Sequence, residues 1–220
     1  TCAKAQYGRS HISENPLMHV LLLGLNYYPD KLGNAPLMTG LCEGLAALGH
    51  KVTVVCAFPH HEQGRIEDEY RGKVFAKDHR NGVDILRVWL YAPEGGKVAK
   101  MMNYASFTTT ALAAAATVQD VDVIFTPSPP LTLGVVDYAM SRIKDIPFVY
   151  NLQDLFPEAA VRLGVMSNPK LIQGFEMLER FVYRKASHLS VISEGFKTHL
   201  LTHGVPSHKI SVIPNYTDTE

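Results

Sequence analysis

Two short stretches of this 220-residue chain combine residue types that can do chemistry. In "YNLQDLFPE" (150–158), Asp154 follows an apolar run of strand length, and Glu158 follows the Phe156-Pro157 turn. A carboxylate at the end of a buried strand can accept sugar hydroxyls or a proton. It can equally close an Asx turn or cap a helix, and Glu158 can be a first-turn residue favoured by a helix dipole. In "NYYPDKLGNAP" (26–36), Gly33 and Asn34 stand just ahead of a helical pattern. Free N–H groups and the positive end of a helix there can hold phosphate. A turn glycine and an N-cap asparagine would serve structure alone. Tyr28, between Tyr27 and Pro29, reads as supporting wall for that loop.

Elements that could position these residues alternate along the chain. "HVLLLGL" (19–25) predicts a strand, and 35–48 a helix with Leu37, Leu41, Leu45 and Leu48 at helical spacing. Gly49 is placed to end that helix as a C′ glycine. "KVTVVCAF" (51–58) and "VDILRVWL" (83–90) predict strands on either side of a polar segment, 59–82, rich in His and charge. A long Ala-rich helix follows over 97–118, then a strand at 121–127, a helix at 131–144 and a strand at 146–154. An amphipathic helix over 170–186, a strand at 188–193, a helix at 194–203 and a last strand at 209–214 complete the pattern. Strands that read as continuous apolar runs and alternate with helices specify an α/β fold: one Rossmann-like domain, its mostly parallel sheet covered on both faces. Ligands of such sheets bind outside the carboxyl ends of the strands. That rule selects 26–35, "TPSPP" (126–130) with Ser128, 151–158 and 193–195. The proline-rich "TPSPP" suits a stiff pocket wall or a plain rigid connector.

Composition excludes several classes. Hydrophobic residues make up 46%, and 21 basic residues balance 21 acidic ones, so no whole-chain field attracts nucleic acid. Three scattered cysteines (Cys2, Cys42, Cys56) form neither a disulfide framework nor a metal-ligand spacing, and the histidines show none either. No metal or other cofactor is expected. The first loop lacks G-x-G-x-x-G and strand two lacks a terminal acid, which argues against a nicotinamide dinucleotide. No run of 18 apolar residues is present. Residues 1–17 read as a leader, non-native or mis-started, with Met18 as the start. At the head of the 97–118 helix, Lys97, Lys100, Met101, Met102, Tyr104 and Phe107 combine cations with bulky apolar groups. They suit docking on an anionic membrane surface, or a core helix with a solvated start.

The runs 19–59, "YNLQDLFPEAAV", "LERFVYRKASHLSVISEGFKTHL" and "KISVIPNYTD" together resemble the N-terminal half of a family 4 glycosyltransferase, of the kind acting in bacterial colanic acid and O-antigen synthesis. The resemblance runs from about residue 18 to the end. It implies half of a GT-B fold: an acceptor-side domain over 18–214 and, at 215–220, the start of a linker to a C-terminal donor domain. It implies a metal-independent, retaining hexosyl or hexosaminyl transfer from a nucleotide sugar to a glycan or an undecaprenyl-diphosphate-linked acceptor. The setting would be the cytoplasm, peripheral on the inner membrane face, in surface polysaccharide or lipopolysaccharide synthesis. In the family's pattern Gly33 approaches donor phosphate, with Asn34 where many relatives have a second glycine. Asp154 faces the donor sugar, and Ser193 and Glu194 match a stretch that closes the cleft edge. The chain alone is expected to be inactive. Two alternatives stay open: half of a GT-B nucleotide-sugar epimerase, and a non-catalytic α/β ligand-binding module.

Overall fold

The computed structural model describes residues 16–31, 33–61, 65–92 and 96–216, without the side chains of His61, Arg65 and Lys97. Its sheet has eight strands: β1 (His19–Leu23), β2 (Lys51–Ala57), β5 (Phe75–Arg80), β6 (Val83–Val88), β7 (Val123–Pro127), β8 (Phe148–Leu152), β9 (His188–Val191) and β10 (Ile210–Val212). Strands β3 (His60–His61) and β4 (Arg65–Ile66) form a separate small ribbon. The helices are α1 (Ala35–Ala47), α2 (Lys97–Thr117), α3 (Leu133–Lys144), α4 (Glu158–Arg162), α5 (Pro169–Lys185) and α6 (Glu194–Thr202).

The strand order is β10-β9-β8-β7-β1-β2-β6-β5. Every neighbouring pair is parallel except the edge pair β5–β6. The expected α/β sheet is thus present, with one antiparallel strand added where the sequence showed only a polar segment. Alternate residues of the central strands feed two cores. Leu21, Leu23, Val55, Ala57, Leu86 and Val88 face one core with α2 and α3. Leu22, Val52, Val54, Cys56, Val83 and Ile85 face the other with α1. This is the period-2 alternation of a strand buried on both sides. Helix α1 ends as its sequence specifies. Gly49 has φ +94°, its N–H bonds the Ala46 carbonyl at 2.9 Å, and His50 N–H bonds Leu45 at 3.1 Å, a Schellman closure.

The chain leaves β1 toward β2 and β6, then crosses back to β7 on the other side of β1. The winding therefore reverses between β1 and β7, where an open α/β sheet leaves a crevice at its carboxyl edge.

Candidate active site

A cavity of about 280 Å³ lies at this crevice. Residues following β1 (Asn26, Gly33, Asn34), β7 (Ser128, Pro129) and β8 (Gln153) line it, with Tyr104 from α2, Leu37 from α1 and Asn215 from beyond β10. Three segments picked by the carboxyl-end rule thus meet, while 193–195 does not contribute.

Gly33 holds φ +62°, a left-handed backbone that a β-branched residue adopts only with strain. Space is not what demands glycine, since an added Cβ would come no closer than 3.8 Å to Asn26 Nδ2. Asn34 occupies the N-cap position of α1 without capping it. Its Nδ2 instead donates to the Ser128 carbonyl at 3.2 Å, tying the β1 loop to the β7 loop. Among the described residues the N-cap side chain leaves the first amides of α1 uncapped, and the positive end of that 13-residue helix opens on the cavity.

Ser128 Oγ accepts from the Gln153 N–H at 3.0 Å and the Asp154 N–H at 3.4 Å, so one hydroxyl fixes the turn after β8. Gln153 donates to Asn151 Oδ1 at 2.6 Å and accepts from Asn215 Nδ2 at 2.8 Å. Tyr216 OH donates to the Leu37 carbonyl at 3.1 Å. The segment after β10 is therefore strapped over the crevice. Asp154 stands behind this wall rather than in it. Burial pushes its carboxyl pKa up, against opposing pulls from Ser128 and the Lys100 charge, and its buried Oδ1 has no hydrogen-bond partner among the described residues. Lys100 Nζ lies 5.7 Å from the Tyr104 ring centroid. Burial, and then the Asp154 charge, push the Tyr104 phenol up to about 12. Among the described residues no group of three His, Cys, Asp or Glu side chains is set to hold a metal ion.

Several sequence candidates stand elsewhere. The Tyr28 ring packs against the Arg80 guanidinium at 3.7 Å, and its carbonyl accepts from Arg87 at 2.6 Å. It braces the first loop from outside the cavity. Glu158 opens α4 and pairs with Arg162 and His199. Ser193 caps α6 by accepting from Phe196 N–H at 3.4 Å, and exposed Glu194 pairs with Lys197 at 3.8 Å. None of these lines the cavity. The membrane-facing set is corrected in part. Phe107 is fully buried, because helical spacing turns it with Ala111, Ala114 and Ala115 into the core. Tyr104 is drawn into the cavity wall, with the Lys100 ammonium beside it. Met101 and Met102 remain 45% and 51% exposed, and the Lys97 side chain lies outside the described residues. Sequence reasoning passed over Asn26, Gln153 and Asn215. Asn26 and Gln153 were within the loops the carboxyl-end rule selects, whereas nothing local distinguishes Asn215.

An eight-stranded sheet of this order, with its crevice between β1 and β7, is the α/β half of a GT-B fold. The glycosyl transferase 4-like domain family matches residues 33–216, and the chain belongs to that family. It is 23% identical over 207 residues to the "Putative colanic acid biosynthesis glycosyl transferase WcaI" of Escherichia coli (strain K12). The match covers 91% of this chain and 51% of that protein, so the chain spans about half the length of this curated relative. Among solved structures, sucrose-phosphate synthase from Thermosynechococcus elongatus superposes with a TM-score of 0.62 at 14% identity, over 91% of this chain and 49% of that one. The catalytic domain of starch synthase IV from Arabidopsis thaliana, bound to ADP and acarbose, gives 0.61 at 14% identity, over 93% and 52%. Anabaena Alr3699/HepE in complex with UDP and glucose gives 0.53 at 16% identity, over 91% and 45%. At these identities the likeness is one of fold. No helix among the described residues is long and apolar enough to cross a membrane.

Proposed function

We propose that this chain is the acceptor-side half of a retaining, metal-independent glycosyltransferase. The enzyme would move a hexosyl or hexosaminyl unit from a nucleotide sugar to a glycan or an undecaprenyl-diphosphate-linked glycan during surface polysaccharide synthesis. The observation that carries the reading is one juxtaposition. A left-handed glycine and an uncapped helix N-terminus open on a cavity, and a partnerless carboxylate oxygen is buried just behind its wall. Retaining transfer develops negative charge on a departing diphosphate and positive charge on the sugar ring. The amides at the start of α1, with the Lys100 cation near Tyr104, answer the first demand. The Asp154 carboxylate, when ionised, answers the second. A donor-binding domain C-terminal to Asn215 and Tyr216 would close over this edge, and this chain by itself would not catalyse transfer. That donors are nucleotide sugars is supported by the family and by relatives solved with UDP or ADP.

The test is Gly33→Val in the full-length protein, read as radiolabel transfer from UDP-glucose, UDP-galactose and GDP-mannose to a membrane extract. Transfer should fall by about a hundredfold, with folding intact, because the N–H groups facing the leaving phosphate are displaced. Unchanged transfer would remove the β1 loop from the reaction. The exposed start of α2, with Met101 and Met102 in water, is proposed to rest on the cytoplasmic face of the inner membrane. The double variant Lys97→Glu/Lys100→Glu should then lose most binding to phosphatidylglycerol vesicles. Equal binding would end that part of the reading.

A further inference from the structure

A second depression, of about 600 Å³, opens at the carboxyl end of β6, on the same edge of the sheet as the cavity. Tyr70, Arg71, Lys73, Trp89 and Tyr91 shape it. Trp89 is the only tryptophan of the chain. It is 37% exposed and Tyr91 is 42% exposed, although a full apolar core lies beneath them. Their backbone is pinned where it stands. Trp89 N–H bonds the Val74 carbonyl at 2.9 Å, and Thr110 Oγ1 donates to the Trp89 carbonyl at 2.7 Å. Tyr91 N–H bonds Ser106 Oγ at 2.8 Å, and Asn103 Nδ2 donates to the Tyr91 carbonyl at 3.0 Å. Tyr70 stacks on Phe58 with centroids 4.9 Å apart, and Lys73 Nζ sits 5.7 Å from the Tyr70 centroid. The backbone that carries Trp89 and Tyr91 and the stacked Tyr70 ring are thus fixed before any ligand arrives, which lowers part of the ordering cost of binding.

We propose that this groove binds a saccharide unit of a glycan, distinct from any sugar in the β1–β7 cavity. Sugars present an apolar C–H face and a ring of hydroxyls that both donate and accept. Trp89 and Tyr91 offer flat apolar surface with a polar tip for the first. For the second, Arg71 and Lys73 line the groove as donors, Arg71 also pairing with Asp68 at 2.7 Å. Segment 67–73 as a whole holds Glu67, Asp68 and Glu69 against Arg71 and Lys73, so it presents no excess of cations to an anionic bilayer. The groove is also concave, as a small-ligand site is. Strand β2 alone separates β6 from β1, about 10 Å across the sheet. One extended glycan can therefore lie in the groove with its end at the cavity. The proposal does not need the transferase reading, because binding is measured on this chain alone.

Trp89 serves as its own reporter. Its emission is titrated with maltotriose, cellotriose and chitotriose, and calorimetry repeats the measurement on Trp89→Ala. At least one trisaccharide should give a saturable change, with affinity about tenfold weaker in Tyr91→Ala and no detectable heat in Trp89→Ala. Tyr91 is exposed, so its variant should keep the native far-UV spectrum. Absence of saturable change with all three sugars overturns the proposal, as does equal affinity in Tyr91→Ala. An emission shift with phosphatidylglycerol vesicles, and with none of the sugars, assigns the groove to lipid and overturns it too.

Discussion

Two ionisable side chains at opposite halves of the sheet, Arg87 buried and Asp154 half-buried, are treated in opposite ways. On the β5–β6 side, Arg87 is 3% exposed and fully engaged. Its Nε donates to Asp78, its Nη2 to the Tyr28 carbonyl and its Nη1 to Cys56 Sγ at 3.6 Å. On the β7–β8 side, Asp154 keeps a buried oxygen with no partner, and burial raises its pKa. A satisfied buried charge stiffens a scaffold, and here it holds the NYYP loop in place. An unsatisfied polar group costs stability, and groups with shifted pKa values cluster at functional sites. The comparison divides the first loop: Tyr28 is held by Arg87 and Arg80, whereas Gly33, five residues further on, lines the cavity.

The contrast is broken most directly at Arg87. Arg87→Leu strands Asp78 and the Tyr28 carbonyl, and should cost about 3–5 kcal/mol in urea unfolding. A cost below about 1 kcal/mol would mean the network is not a brace. Asp154→Asn should do the reverse, holding or slightly raising stability while transfer by the full-length protein falls about a hundredfold. Its pH dependence sharpens the point. Because the folded pKa of Asp154 is raised, the folded state binds more protons than the unfolded state between the two values. The stability contributed by this group is fully present below the unfolded value, about 3.9. It is lost as pH rises through the folded value. The advantage of Asp154→Asn over the natural chain should therefore grow across that window and level off above it, as urea midpoints from about pH 4 to about pH 8 would show. The smallest effect is expected at Glu194, whose exposed pair with Lys197 at 3.8 Å lies off the cavity. Glu194→Ala should change stability by less than about 0.5 kcal/mol and leave transfer untouched.

Much of the scaffold was legible because local rules and global packing agreed. The amphipathic helix read at 170–186 forms at Pro169–Lys185, with Asn168 Oδ1 accepting from Lys170 N–H at 3.0 Å. Strands buried on both faces read as apolar runs and were found within two residues at each end. Strand β5 was missed for the opposite reason. "FAKDHR" pairs only with β6 at the sheet edge and alternates between half-buried and exposed, so it carries no apolar run. Helix α4 is five residues long, too short for a periodic signal. At the site, the carboxyl-end rule found the loops but not the roles within them. Asn34 looked like a cap, and Ser128 like one residue of a stiff loop. Their shared bond joins residues 94 apart in sequence and depends on β1 and β7 being neighbours in the sheet.

The sequence by itself determined the α/β alternation, the class of sheet, the family resemblance, and the short list of loops at its carboxyl edge. These depend on periodicity, glycine and proline placement and residue order, which are local. Only the tertiary structure decided which side chains share one cavity, that Phe107 serves the core rather than a membrane, and that Asp154 keeps an unpaired oxygen. It also brought Trp89, Tyr91 and Lys73 to one groove. Those outcomes depend on strand order and on burial. Both are set by which distant elements pack together, and no window of sequence contains that information.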